Sequence, residues 1–220
     1  MRSGVVNMKA KSAYHIVLVS VVLALIFLIW LVSVALPVLG VEMTYQYKKV
    51  LRDQFAVSDI RGLILPQFHF DFKGITSTFT TDGITIPSIF VDEPVVYNVN
   101  PNDRTAYLSA LRTGIAHASG TAFPGIGGLG YYFAHLATPD LVRQYNAAFY
   151  LLGKLNAGDE IYIWHAGDRF DYKVTEKKIT VPTDLSFLHQ KYPAETIVLQ
   201  TCWPPGTTLQ RLLVFASRIR

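Results

Sequence analysis

From Ser12 to Val41 the chain carries no Asp, Glu, Lys or Arg, and the centre of that run reads HIVLVSVVLALIFLIWLVSVALPVLG. A helix needs about 20 apolar residues to cross the hydrocarbon of a bilayer, and this run exceeds that length. A cleaved signal peptide has an apolar region of only about 7–15 residues, so the reading is an uncleaved single span. Arg2, Lys9 and Lys11 precede it, and the first acidic residue is Glu42. Basic flanks stay on the cytoplasmic side. Lys48, Lys49 and Arg52 follow the span and moderate the asymmetry. A long domain translocates largely regardless of its own charge, so the N-terminus is placed inside and residues 42–220 outside.

Three segments follow from this. Residues 1–41 form a cytoplasmic tail and anchor, 42–82 a juxtamembrane stalk and 83–220 a folded domain. The formal charge is +4, with basic residues scattered along the chain, which does not make the basic stripe of a nucleic-acid-binding protein. Cys202 is the only cysteine. It allows no intramolecular disulfide, and an exported protein with one thiol uses it for reaction or for intermolecular pairing. The alternative is a buried cysteine packed like a small hydrophobe.

The stretch VEMTYQYKKVLRDQF extends the helical pattern beyond the apolar run, and residues 56–80 give mixed signals. From Gly83 the pattern is that of a β domain. Residues 84–99, ITIPSIFVDEPVVYNV, are β-branched, with two prolines that fit an edge strand or two short strands. YYFAHL at 131–136 reads as a strand. The segment from Thr138 to Gly158 reads as a helix, with Thr138 as N-cap, Pro139 at the first turn and Phe149, Leu152 and Leu155 on one face. EIYIWHAGDRFDYKVTEKKITV predicts a hairpin turning at Ala166–Asp168. ETIVLQTC and RLLVFASRI predict two more strands joined through residues 203–210. Many short strands and few helices indicate a small barrel or a sandwich.

Gly125, Gly127 and Gly130 satisfy the G-x-G-x-x-G spacing of a dinucleotide site. That chemistry requires a strand before the glycines and a helix after them. Here Phe123-Pro124 precedes and a strand follows, so the glycines read as a turn. H-E-x-x-H, C-x-x-C and G-x-S-x-G elements do not occur, which argues against the common metal and serine-hydrolase designs. A thiolate needs a cationic neighbour or a base to act near neutral pH. Of six histidines, His15 lies in the apolar run, His69 in the stalk, and His165 and His189 read as surface residues. His117 (GIAHASG) and His135 (YYFAHLA) remain, and His135 is the stronger candidate because a strand fixes its direction. Arg211 follows Cys202 by nine positions. If the last two strands are antiparallel neighbours, the two residues meet, and the arginine is set to donate to an oxyanion. For each of these residues a purely structural role stays open.

Taken together, Val198-Leu199-Gln200-Thr201-Cys202, Arg211 in TTLQRLLVF and the His135 segment 117–137 resemble the sortases, membrane-anchored cysteine transpeptidases of bacterial surfaces. Val198 stands where the family's T-L-x-T-C element has Thr, and Ala134 where many members have Gly. The likeness covers residues 83–220. It implies a mainly β fold, a closed sortase-like barrel with one or two short helices behind a single transmembrane helix. It also implies that Cys202 is the nucleophile, His135 the general acid and base, and Arg211 the stabiliser of the oxyanion or the substrate. The implied reaction cleaves an LPxTG-like C-terminal sorting signal of an exported protein. It joins the thioacyl intermediate to an amine of a cell-wall precursor or a pilin. No cofactor or metal is implied by the residues, although calcium binding in some relatives leaves a regulatory ion open. Two other readings stand beside this one: a membrane-anchored cysteine protease, and a non-catalytic surface-binding β domain.

Overall fold

The computed structural model describes residues 3–58, 81–134, 149–205 and 207–219. They fall into two compact units, Met1–Met43 and Thr44–Arg220. Helix α1, Ser3–Ser58, takes up the whole uncharged run and continues into the following polar residues. In the first unit, each described large apolar side chain from Val17 to Ile29 is exposed. Among the described residues no helix is long and apolar enough to cross a membrane. Positions 12–14, 16, 30–31 and 33–38 of the run lie outside the described side chains.

The second unit is a β-barrel. Its strands are β1 (Gly83–Ile86), β2 (Val91–Val99), β3 (Ile115–Ala118), β4 (Leu129–Phe133), β5 (Glu160–His165), β6 (Asp168–Thr180), β7 (Thr196–Trp203) and β8 (Gln210–Arg218). They close in the order β1-β2-β3-β4-β7-β8-β6-β5, with β1 pairing β5. The β2–β3 and β4–β7 pairs are parallel and the others antiparallel. Closure leaves the barrel without an unpaired edge.

Side chains alternate between two cores, as the period of a strand requires. Ile84, Tyr132, Ile163, Tyr172, Leu199 and Val214 fill the inside. Phe133, Val198, Leu213 and Phe215 lie on the outer face under Ala110, Leu111 and Phe187. Ala110 and Leu111 belong to helix α2, Arg104–Thr113, whose N-cap Asp103 accepts from the N–H groups of Thr105 (2.9 Å) and Ala106 (3.1 Å). Such a cap satisfies donors that the first helical turn leaves unpaired. Gly114 ends the helix against β2. A Cβ there would stand 2.3 Å from the Pro94 carbonyl oxygen, so only glycine fits. Neither α2 nor β3 was expected from the sequence, although the Asp103 cap and the Leu108/Leu111 spacing are readable signals.

Residues 84–99 form two short strands, separated by the 3-10 turn Pro87–Ile89. The β5–β6 hairpin turns on Ala166 (φ 53°) and Gly167 (φ 91°), two left-handed residues that match the twist of the flanking strands. The helix expected over 138–158 differs. Its described part is a 3-10 turn, Tyr150–Lys154, and Leu155 is extended; positions 138–148 lie outside the described residues. Phe149, Leu152 and Leu155 are nevertheless all fully buried. Gly153 is pressed against Trp203, whose ring would stand 2.8 Å from a Cβ. Tyr45 of α1 also belongs to this unit's core, 6.2 Å from the ring of Phe90 and beneath Lys154 Nζ at 5.5 Å.

Candidate active site

Strands β7 and β8 bring the first two site residues together. Cys202 is the register partner of Arg211, with Thr201 opposite Leu212 and Trp203 opposite Gln210. The six residues 204–209 join the strands, a shorter link than the sequence suggested because both strands extend further. Pro204 O anchors that loop by accepting from the Thr207 N–H (3.0 Å) and hydroxyl (2.8 Å). Alternation gives Cys202 the outward parity of Val198, and Arg211 that of Leu213 and Phe215. Both are half-buried, so the thiol lies on the outside of the barrel at the rim of the outer core.

Arg211 Nη1 donates to the carbonyls of Thr208 (3.2 Å) and Gln210 (3.0 Å), which fixes the guanidinium on its own loop. Two tyrosines frame the rim. Tyr107 of α2 stacks on Phe133 at 5.4 Å with 13° between the rings, and Tyr131 lies 5.6 Å from Phe133. Burial pushes the Tyr107 phenol above its ordinary value, the Cys202 side chain adds to the rise and Arg211 opposes it. Tyr131 is raised for the same leading reason. Both phenols are therefore neutral donors at neutral pH. The resulting rim holds a nucleophile, a cation and two hydroxyls, the parts an acyl-transfer site needs around a developing oxyanion.

The third residue selected from the sequence, His135, lies outside the described residues. Its neighbours do not. Leu129 faces Thr196 and Phe133 faces Gln200, a constant offset of 67 positions along the parallel β4–β7 pair. The Ala134 N–H donates to Gln200 O at 3.5 Å, just past the end of β4.

His117, the competing candidate, is fully buried on the inner side of β3. Its Nε2 is 3.0 Å from Ala122 O and 3.1 Å from Thr121 Oγ1, and Asn98 N–H approaches Nδ1 at 3.5 Å. Those partners fit a neutral ring protonated on Nε2, and burial pushes its pKa down. It is a satisfied core histidine on the opposite side of the sheet from Cys202. His165, expected as an ordinary surface residue, is instead part of an aromatic cluster. Its ring lies 4.2 Å from that of Tyr97 and stacks on Phe123 at 5.1 Å, and Nδ1 meets Asp82 Oδ1 at 3.1 Å. No local signal marks this, because Asp82 is 83 positions away.

The glycine motif is a turn, with Gly125, Gly127 and Gly128 all left-handed. The N–H groups of Gly125 and Gly127 are taken by the carboxylate of Glu195, so an internal anion stands where a phosphate would have to bind. Among the described residues no group of three or more His, Cys, Asp or Glu is placed to hold a metal ion.

The family model described as Sortase domain matches residues 84–219. Sortase D of Bacillus subtilis (strain 168) is 23% identical over 139 residues, 62% of this chain and 62% of its own length. The chain thus spans less than two thirds of that relative. Among solved structures, Sortase C1 of GBS Pilus Island 1 is 29% identical, with a TM-score of 0.54 over 63% of this chain and 64% of its own. Sortase C-1 from Streptococcus pneumoniae is 31% identical, with a TM-score of 0.53 over 63% and 66%.

Proposed function

The chain belongs to the sortase family, whose members are cysteine transpeptidases, and from that premise we propose that Cys202, His135 and Arg211 carry out acyl transfer on exported proteins. The observation that carries the reading is the direct pairing of Cys202 with Arg211. His135 is taken as the third member on the family resemblance of its segment.

In the proposed cycle the Cys202 thiolate attacks the carbonyl carbon of the scissile peptide bond. The oxyanion is met by Arg211, helped by the rim hydroxyls. As the C–N bond breaks, the His135 imidazolium gives its proton to the departing amine. A thioester to Cys202 remains. An incoming amine attacks it, His135 takes the surplus proton, and the C–S bond breaks to return the thiolate. The substrate class is a C-terminal sorting signal of the LPxTG kind, and the acceptor is an amine of a cell-wall precursor or a pilin. The exposed apolar side chains along Val17–Ile29 and the charge-free run support a single membrane anchor, with the barrel outside the cell.

The test uses the full chain in detergent micelles, an LPxTG-type peptide and a glycine-based amine, with products read by mass. A joined product that disappears in Cys202→Ala supports the reading. No product from any sorting peptide, together with a Cys202 that resists alkylation in the folded protein, favours an inert β domain instead.

A further inference from the structure

We propose that Glu195 is a positioning residue that sets the register of β4 against β7, and through it the alignment of Tyr131 on β4 with Cys202 on β7. Its side chain is 9% exposed and is surrounded by donors. Oε1 accepts from Gly125 N–H (2.9 Å) and the Tyr172 hydroxyl, and Oε2 from Gly127 N–H (3.2 Å) and Arg218 Nη1 (2.9 Å). Burial alone would raise the carboxyl's pKa, but these bonds together hold it below the ordinary carboxylate range.

The location gives the clamp its consequence. β4 and β7 are parallel, so no tight turn fixes how they pair, and a one-residue slip in a strand moves every side chain to the other face. Glu195 stands one residue before β7, and the glycines it holds stand just before β4. The first rung, Thr196 N–H to Gly128 O at 2.9 Å, lies directly beside it. Gly125 cannot be replaced in this loop: its φ is +91° and a Cβ would meet the Phe170 ring at 2.6 Å. Tyr172 and Arg218 tie the same carboxylate to β6 and β8, so the clamp also holds the next two strands of the barrel. The β7–β8 pair is different. A six-residue loop joins its strands directly beside Cys202 and Arg211, so that pairing is held locally, at the opposite end of β8 from the Arg218–Glu195 contact.

All four partners donate, and a carboxylate only accepts. Glu195→Gln keeps the shape but turns an NH2 group toward donors. This inference rests on the reading of Cys202 and His135 as the reacting pair. The experiment compares full-length wild type, Glu195→Gln, Glu195→Asp and Tyr172→Phe in three measurements: peptide transfer, iodoacetamide alkylation of Cys202 at pH 9, and backbone hydrogen exchange. Glu195→Gln is expected to lower the transfer rate about tenfold or more, the scale on which small misalignments act. Alkylation should stay at the wild-type rate. Amide exchange should quicken at Leu129–Phe133 and not at Leu212–Phe215. Tyr172→Phe, which leaves both glycine bonds in place, should lose less transfer than Glu195→Gln. Normal transfer by folded Glu195→Gln overturns the proposal, as does exchange that quickens equally in every strand. An equal loss in Tyr172→Phe also overturns it. Should Glu195→Gln not fold, Glu195→Asp takes its place in each measurement. If the wild type itself transfers no peptide, the reading of the reacting pair has failed, and the exchange contrast still tests the clamp.

Discussion

Cys202 and Arg211 face each other across the β7–β8 pair, and Arg211 Nη1 is already committed to the Thr208 and Gln210 carbonyls. A guanidinium has five donors in a rigid plane, so Nε and Nη2 are the groups left to meet an oxyanion. A lysine ammonium has no such fork to anchor itself and stabilise charge at once. Arg211→Lys is expected to lower kcat for transfer by about a hundredfold, the usual loss when an oxyanion donor is removed. Cys202→Ala should abolish turnover while its thermal midpoint stays near that of the wild type. Near-normal rates in Arg211→Lys would reduce Arg211 to a structural residue.

The two candidate histidines should separate by readout. His135→Ala is expected to lose about 10²–10⁴ in rate, the range for a general acid and base. His117→Gln should keep most of the activity of its folded fraction and change how stability depends on pH. In the folded state His117 is neutral and buried among Tyr97, Phe123, Tyr132 and His165. Its folded pKa is depressed, so the unfolded chain binds this proton first. The stability it contributes is full above the unfolded value of about 6.5 and is lost as pH falls toward the folded value. Urea midpoints at pH 7.5 and pH 5 should fall more steeply in the wild type than in His117→Gln. Parallel slopes would remove His117 from the acid response, and a larger activity loss in His117→Gln than in His135→Ala would reverse the assignment.

Tyr45 makes a prediction about the boundary between anchor and domain. It is buried against Phe90 beneath Lys154, so residues just past the apolar run belong to the barrel's core. Removing residues 1–43 should give a soluble, folded protein that retains peptide transfer. Removing 1–58 deletes Tyr45 and should cost about 2–3 kcal/mol, as aromatic burial of this size does. Equal urea midpoints for the two truncations would show that the Tyr45 contact contributes nothing. In the full chain, protease added to intact cells should digest the barrel and spare the N-terminal end; a protected barrel overturns the proposed topology.

What the sequence made legible was mostly local. Pro87 marked the break between β1 and β2, whereas Pro94 lies within β2; Ala166-Gly167 marked a hairpin, and a short link between two apolar runs was enough to bring Cys202 to Arg211. Contacts between distant segments were not legible. The parallel β2–β3 and β4–β7 pairs join strands with no turn between them, so no dipeptide signals them. Glu195 reads as one more surface acid until the fold delivers two glycine N–H groups, Tyr172 and Arg218 to it. His165 reads as exposed because Asp82, Tyr97 and Phe123 arrive from three other places in the chain. The segment around Gly153 follows helical periodicity, yet its described backbone is a 3-10 turn with Gly153 packed against the Trp203 ring. In each case tertiary contact overrode or supplied what local propensity left undecided.

The partition between transfer and hydrolysis distinguishes a transpeptidase from a protease built on the same residues. Once Cys202 holds the acyl group as a thioester, an amine is a better nucleophile than water, and the site has only to admit the amine and slow the water. Cys202 is half-buried and close enough to Tyr107 and Tyr131 to couple electrostatically to both, and that partial burial limits water around the thioester sulfur. A transpeptidase should therefore accumulate acyl-enzyme when no acceptor is present, seen as a mass increase on the Cys202 peptide. Adding a glycine-based amine, or hydroxylamine as a small surrogate, should discharge that adduct and raise turnover. Tyr107→Ala, which opens the rim, should shift the products toward the free acid at the expense of the joined peptide. An adduct that never builds up, with turnover indifferent to added amine, identifies a hydrolase. An adduct that builds up and is released only by amine leaves transfer as the reaction of this site.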